Sequence, residues 1–138
     1  MRIRRSHSEL YLHLAWATWG RFPLITPELR PRLYANLAYQ AREVGADVFA
    51  VGGVEDHVHV LVRFPTTISV ADFARQLKGA SSHFVTQVLR SADPFKWQGG
   101  YGAFTLSRRG IPTTREYILN QEEHHRTGTL IRALERTG

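Results

Sequence analysis

His57-Val58-His59-Val60-Leu61-Val62-Arg63-Phe64 alternates strictly, with Val58, Val60, Val62 and Phe64 on one side and His57, His59, Leu61 and Arg63 on the other. Valines crowd the first set, so the stretch reads as a strand whose valine side faces a core. Just before it, Glu55-Asp56 reads as a tight turn and Val48 to Val54 as a second strand. Further back, Leu10 to Thr18 also alternates, with Leu10, Leu12, Leu14 and Trp16 opposite Tyr11, His13 and Ala15. Between these strands a helix is introduced by Thr26-Pro27 and closed by Gly45, with Leu29, Leu33, Leu37, Ala41 and Val44 as its apolar stripe. Pro31 places its regular start near Arg30.

Working forward, Ser69 and Asp72 resemble a capping box that opens a second helix, with Phe73, Leu77, Phe84 and Val88 as its buried side. Ala92 to Gly100 is rich in turn residues, and Tyr101 to Ser107 reads as a short fourth strand. Thr113 and Glu116 form another capping pattern, predicting a last helix over about 113–125, followed by a basic tail over about 127–138. The order β-α-β-β-α-β plus a C-terminal helix is that of the ferredoxin-like split βαβ fold. The expected class is therefore α+β, an antiparallel sheet with helices on one face. In that topology the first and third strands are central neighbours, which puts His57 and His59 in mid-sheet. With no repeats and no linker-like stretch, residues 1–138 read as a single domain.

The composition narrows the chemistry. There is no cysteine, so there is no disulfide framework, and a metal site would need His, carboxylate or amide ligands. No apolar run approaches the ~20 residues of a membrane span, and no signal peptide is recognisable, so a cytoplasmic protein without a membrane partner is expected. The formal charge is +6, and every cation except Lys78 and Lys96 is an arginine. Arginine suits bidentate recognition of phosphate, and such basicity favours a nucleic-acid partner, although many small proteins are basic without one.

His57 and His59 stand roughly 7 Å apart along their strand and point the same way, so their imidazoles can converge on one ion. Two histidines make an incomplete metal site, and strand histidines satisfied by local hydrogen bonds fit the pattern equally. Tyr117 and Gln121 are spaced i, i+4 and share a face of the last helix. An amide oxygen can ligate a hard cation, which makes Gln121 a candidate third ligand; the alternative is an amphipathic helix with Tyr117 packed at its edge. His124 and His125 read either as further ligands or as a solvated helix end that complements the C-terminal dipole. Arg2, Arg4, Arg5, Arg75, Lys78, Arg108 and Arg109 are candidate phosphate contacts, with Trp97 and Tyr101 as candidate stacking partners for single-stranded nucleic acid. Each also fits a plain surface charge or a core aromatic.

Together these motifs resemble the single-tyrosine HUH transposases of the smallest bacterial insertion sequences, a family that includes the repeat-associated tyrosine transposases. His57-Val58-His59 matches the HUH triplet, and Tyr117 with Gln121 matches the tyrosine helix. The resemblance extends through Leu12-His13-Leu14-Ala15-Trp16-Ala17-Thr18, Gly52-Gly53-Val54 and Leu77-Lys78-Gly79-Ala80-Ser81-Ser82. It continues in Trp97-Gln98-x-x-Tyr101-Gly102 and Asn120-Gln121-Glu122-Glu123-His124-His125-Arg126, while Gly128 to Gly138 follows no assignable pattern. The resemblance implies a prokaryotic, DNA-associated transposase that cuts and rejoins single-stranded DNA carrying hairpin ends. Tyr117 would be the nucleophile, forming a 5′-phosphotyrosyl intermediate, and His57, His59 and Gln121 would hold Mg²⁺ or Mn²⁺. It also implies a homodimer, in which the tyrosine helix serves its own subunit or its partner. The rival readings are a domesticated or non-catalytic single-stranded nucleic-acid-binding module on the same fold, and a metal-dependent phosphoesterase that uses water as nucleophile.

Overall fold

The computed structural model describes residues 6–138, so Arg2, Arg4 and Arg5 lie outside the described residues. Four strands form one antiparallel sheet: β1 Tyr11–Ala17, β2 Asp47–Val54, β3 His57–Arg63 and β4 Gly102–Thr105, in the order β2-β3-β1-β4. This is the ferredoxin-like order expected from the β-α-β-β-α-β succession, with β1 and β3 adjacent at the centre. Their register sets Leu12 opposite Val62, Leu14 opposite Val60 and Trp16 opposite Val58. These six side chains are buried on one face, under α1 (Arg30–Glu43) and α2 (Val70–His83).

Both helices are amphipathic over this face. Leu33, Leu37 and Ala41 of α1 and Phe73, Ala74 and Leu77 of α2 are buried. Pro31 sits in the first turn of α1, where its missing N–H costs nothing, and Gly45 closes the helix at φ 93°. At the start of α2 the Ser69 hydroxyl accepts the Asp72 backbone N–H at 3.1 Å, which is half of the expected capping box. The end of α2 departs from the regular stripe. Phe84–Val88 widens into a π-helical turn, which buries Val85 and leaves Val88 exposed, reversing the expectation for Val88.

The helices expected on one face are α1 and α2. The C-terminal segment instead crosses to the opposite face, where Ile118 packs with Ala50 and Leu61 in a second, smaller core. It is also two helices, α3 (Ile111–Leu119) and α4 (Gln121–Thr127), broken at Asn120 (φ −108°, ψ 28°). The expected single helix over about 113–125 is thus corrected. It starts earlier because Pro112 initiates it, and Thr113 makes no capping bond.

Candidate metal and nucleophile site

The face of the sheet opposite the main core carries the polar residues. His57, His59 and Leu61 of β3 alternate with the core valines, and they lie opposite Val54, Gly52 and Ala50 of β2. Gly52 decides how close the C-terminal helices come. A Cβ there would lie 2.3 Å from the backbone oxygen of Ile118, so α3 rests directly on the strand. That contact sets Tyr117 and Gln121 beside the two histidines of the same chain.

The result is a buried cluster of polar side chains. His57, His59, Tyr117 and Gln121 are all less than 5% exposed. Gln121 Oε1 lies 3.3 Å from His57 Nε2 and 3.2 Å from His125 Nε2, so the break at Asn120 does not carry Gln121 away from the site. The rings of His57 and His59 meet edge to face at 5.0 Å, and His124 stacks on Tyr117 at 4.5 Å. His125 therefore joins the cluster, through Gln121, through Glu135 Oε1 at 3.3 Å and through its ring 4.9 Å from that of His57, whereas His124 packs against the tyrosine.

Glu135, from the tail, enters the middle of this cluster. Its Oε1 is 3.1 Å from His57 Nε2, and its Oε2 is 3.5 Å from His59 Nε2. Tyr117 Oη donates to Glu135 Oε2 at 2.5 Å and accepts the Ile131 backbone N–H at 2.9 Å. Burial alone would raise the Glu135 carboxyl. The surrounding His57, His59 and Tyr117 groups outweigh it and hold the carboxyl well below the usual carboxylate range. Burial pushes the Tyr117 phenol up, and the bond to Glu135 adds to that, reaching about 12. Burial opposes charge on His57, but hydrogen bonds to Asp56 and Glu135 prevail and hold it up to about 9.

Whether the cluster fits a divalent cation can be judged from its donors. The ligand atoms of His57, His59 and Glu135 lie within 4.8 Å of one another, and Gln121 adds an amide oxygen. Among the described residues the buried His59 Nε2 has no hydrogen-bond partner, and it faces this same space, with Glu135 Oε2 3.5 Å away. An ion there would satisfy it, and imidazole with oxygen donors suits a hard to borderline dication. The residues present fit the group.

Sequence reasoning anticipated His57, His59, Tyr117 and Gln121, and the structure brings them together. It did not anticipate Asp56, whose Oδ1 is 2.7 Å from His57 Nδ1, although the turn residue next to a histidine was a usable signal. It placed His13 on the outer side of β1 without a role, and missed Glu135, which lies in a stretch without any periodic pattern.

The expected nucleic-acid contacts lie elsewhere. Arg75, Lys78, Trp97 and Tyr101 line one hollow of about 440 Å³, together with Lys96. Trp97 is buried there, with its Nε1 donating to Ser81 Oγ at 2.9 Å and its ring edge-on to Trp16. Lys78 Nζ donates to the carbonyls of Gln98 and Gly100 at 2.6 and 2.8 Å, which ties α2 to the loop before β4. Arg75 pairs with Asp72, and Arg108 with Glu9 at 3.4 Å, both on the exposed surface.

The chain matches the family model described as "Transposase IS200 like" over residues 6–121. It is 26% identical over 120 residues to the ISDra2 transposase TnpA of Deinococcus radiodurans, spanning 83% of this chain and 86% of that protein. Among solved structures it resembles a Deinococcus radiodurans protein described as a transposase, with a TM-score of 0.69 and 26% identity, covering 88% of this chain and 97% of the other. It also resembles a REP-associated tyrosine transposase bound to a REP hairpin, with a TM-score of 0.61 and 14% identity, covering 94% of this chain and 76% of the other. That last likeness concerns the fold alone. Among the described residues no helix is long and apolar enough to cross a membrane.

Proposed function

This chain belongs to the IS200-like transposase family, and we propose that it cuts and rejoins single-stranded DNA through a covalent bond to Tyr117. The observation that carries the proposal is one carboxylate touching four groups at once: the Tyr117 hydroxyl and the Nε2 nitrogens of His57, His59 and His125. Oxygens of a scissile phosphate entering that space would meet the same neighbours that Glu135 meets.

His57, His59 and Gln121 would hold a divalent ion, Mg²⁺ or Mn²⁺. Such an ion supplies charge to a non-bridging phosphate oxygen and aligns the phosphate. The rest falls to the chain's own groups. Stacking on His124, with the His59 ring edge-on at 6.4 Å, holds the Tyr117 ring in one orientation. Its hydroxyl loses a proton to solvent as the Oη–P bond forms, the P–O3′ bond breaks, and the departing 3′-oxyanion takes up a proton to become a free 3′-hydroxyl. The phosphodiester energy stays in the tyrosyl linkage, so a second 3′-hydroxyl reverses the step and joins new ends. Arginine-rich surface and the hollow holding Arg75 and Tyr101 are the proposed strand contacts, with hairpin-ended DNA as substrate and a second copy of the chain as partner.

The test is direct. Labelled single-stranded DNA, Mn²⁺ and the protein are run on a denaturing gel. A covalent adduct is expected, and Tyr117→Phe abolishes it while the fold, followed by circular dichroism, is kept. Cleavage without an adduct would transfer the reading to a water-using phosphoesterase; binding without cleavage would leave a nucleic-acid-binding module.

A further inference from the structure

A histidine that ligates through Nε2 must carry its proton on Nδ1, and that proton needs an acceptor. His57 has one in Asp56 Oδ1. The Nδ1 of His59 faces a different kind of group, His13 Nε2, at 2.8 Å. The two rings stack at 5.0 Å with 24° between their planes, and both residues are essentially without solvent contact. His13 lies in the middle of β1, opposite Leu61 of β3 and Phe104 of β4, so it is braced from both sides.

We propose that His13 is a positioning residue, whose Nε2 accepts the Nδ1 proton of His59 and so keeps the Nε2 lone pair of His59 pointed at the metal. This rests on the metal reading above. If His59 is neutral with its lone pair on Nε2, its proton is on Nδ1. His13 must then accept at Nε2 and carry its own proton on Nδ1. Burial favours the neutral ring at position 13. The far nitrogen, His13 Nδ1, has no hydrogen-bond partner among the described residues. An aliphatic residue would fill this space without stranding that nitrogen, so what distinguishes histidine here is the bond made by Nε2.

Two measurements test this. In the first, histidine ¹⁵N spectra are recorded on the unsubstituted chain loaded with Zn²⁺, used as a diamagnetic probe. His59 is expected protonated at Nδ1 with a metal-shifted Nε2, and His13 neutral and protonated at Nδ1. A proton on His59 Nε2 in the loaded protein, or His13 donating from Nε2, overturns the assignment. In the second, calorimetry follows Mn²⁺ binding. His13→Leu is expected to weaken it by about 10- to 100-fold. His13→Gln, which restores an acceptor oxygen, is expected to return affinity to within a few-fold of the unsubstituted chain. His57→Ala serves as the reference for the site. Normal, His57-dependent binding in His13→Leu overturns this inference alone. Absence of any His57-dependent binding in the unsubstituted chain overturns the metal reading, and this inference with it.

Discussion

Two buried histidines of the site respond to pH in opposite directions. His13 is depressed, by burial first and then by the neighbouring His59, to about 3 from an ordinary 6.5. The unfolded chain therefore takes up its proton first, and stability from this residue is lost as pH falls from 6.5 toward 3. His57 is raised to about 9, because its bonds to Asp56 and Glu135 outweigh burial. Its contribution is fully present below 6.5 and is lost as pH rises toward 9, a change on the order of 3 kcal/mol. The metal-free protein should thus melt highest near pH 6.5. Asp56→Asn should flatten the alkaline limb of that profile and His13→Gln the acid limb, as scanning calorimetry across pH 4–9 would record. A profile unchanged by both substitutions would disprove the assignment. The same proton on His57 competes with an ion for Nε2, so Mn²⁺ affinity should climb between pH 6.5 and 9, by no more than about tenfold per pH unit.

At the scale of elements, Gly52 is the point at which sheet and site depend on each other. A methyl group there would meet the Ile118 carbonyl at 2.3 Å, and a backbone atom cannot swing aside as a side chain would. Gly52→Ala should therefore push α3 off β2 and separate Gln121 from His57. The expected result is Mn²⁺ affinity lowered by about tenfold or more, with far-ultraviolet circular dichroism little changed. Unaltered affinity would show that the helix can be spaced from the strand without harm. The strands themselves were legible because a period of two survives in β1 and β3, and it put both histidines on one face before any register was known. The break at Asn120 was not, since Tyr117-Ile118-Leu119-Asn120-Gln121 continues a helical spacing straight through it. The missed start of α3 has a similar cause: Thr113 and Glu116 mimic a capping box, while Pro112 sets the true first turn. His13 was visible as an outward strand residue, but its contact with His59 depends on cross-strand register, which alternation alone leaves open.

For the molecule as a whole, the tail covers the Tyr117 hydroxyl. Gly128, at φ 72°, ends α4 and turns the chain back over the site. The returning segment is held at several points: Ile131 N–H and Glu135 Oε2 on Tyr117 Oη, and Thr137 Oγ1 accepting from Arg21 Nη2 at 2.9 Å. Gly102 of β4 lies directly against the Arg136 carbonyl, where a Cβ would be 1.9 Å from the oxygen. No periodic pattern announced this path, because it is made of single long-range contacts rather than a repeated face. Its consequence is steric and electrostatic together. A phosphate cannot reach Tyr117 Oη while the Glu135 carboxylate is bonded to it, and two anions in one buried space repel. A chain ending at Gly128, and separately Glu135→Ala, should therefore form the Tyr117–DNA adduct several-fold faster than the full chain at saturating Mn²⁺. Quenched time courses on denaturing gels would measure this, with Tyr117→Phe as the blank. Equal or slower adduct formation in both variants, together with weakened Mn²⁺ binding in Glu135→Ala, would instead make the Glu135 carboxylate a fourth ligand that the reaction needs.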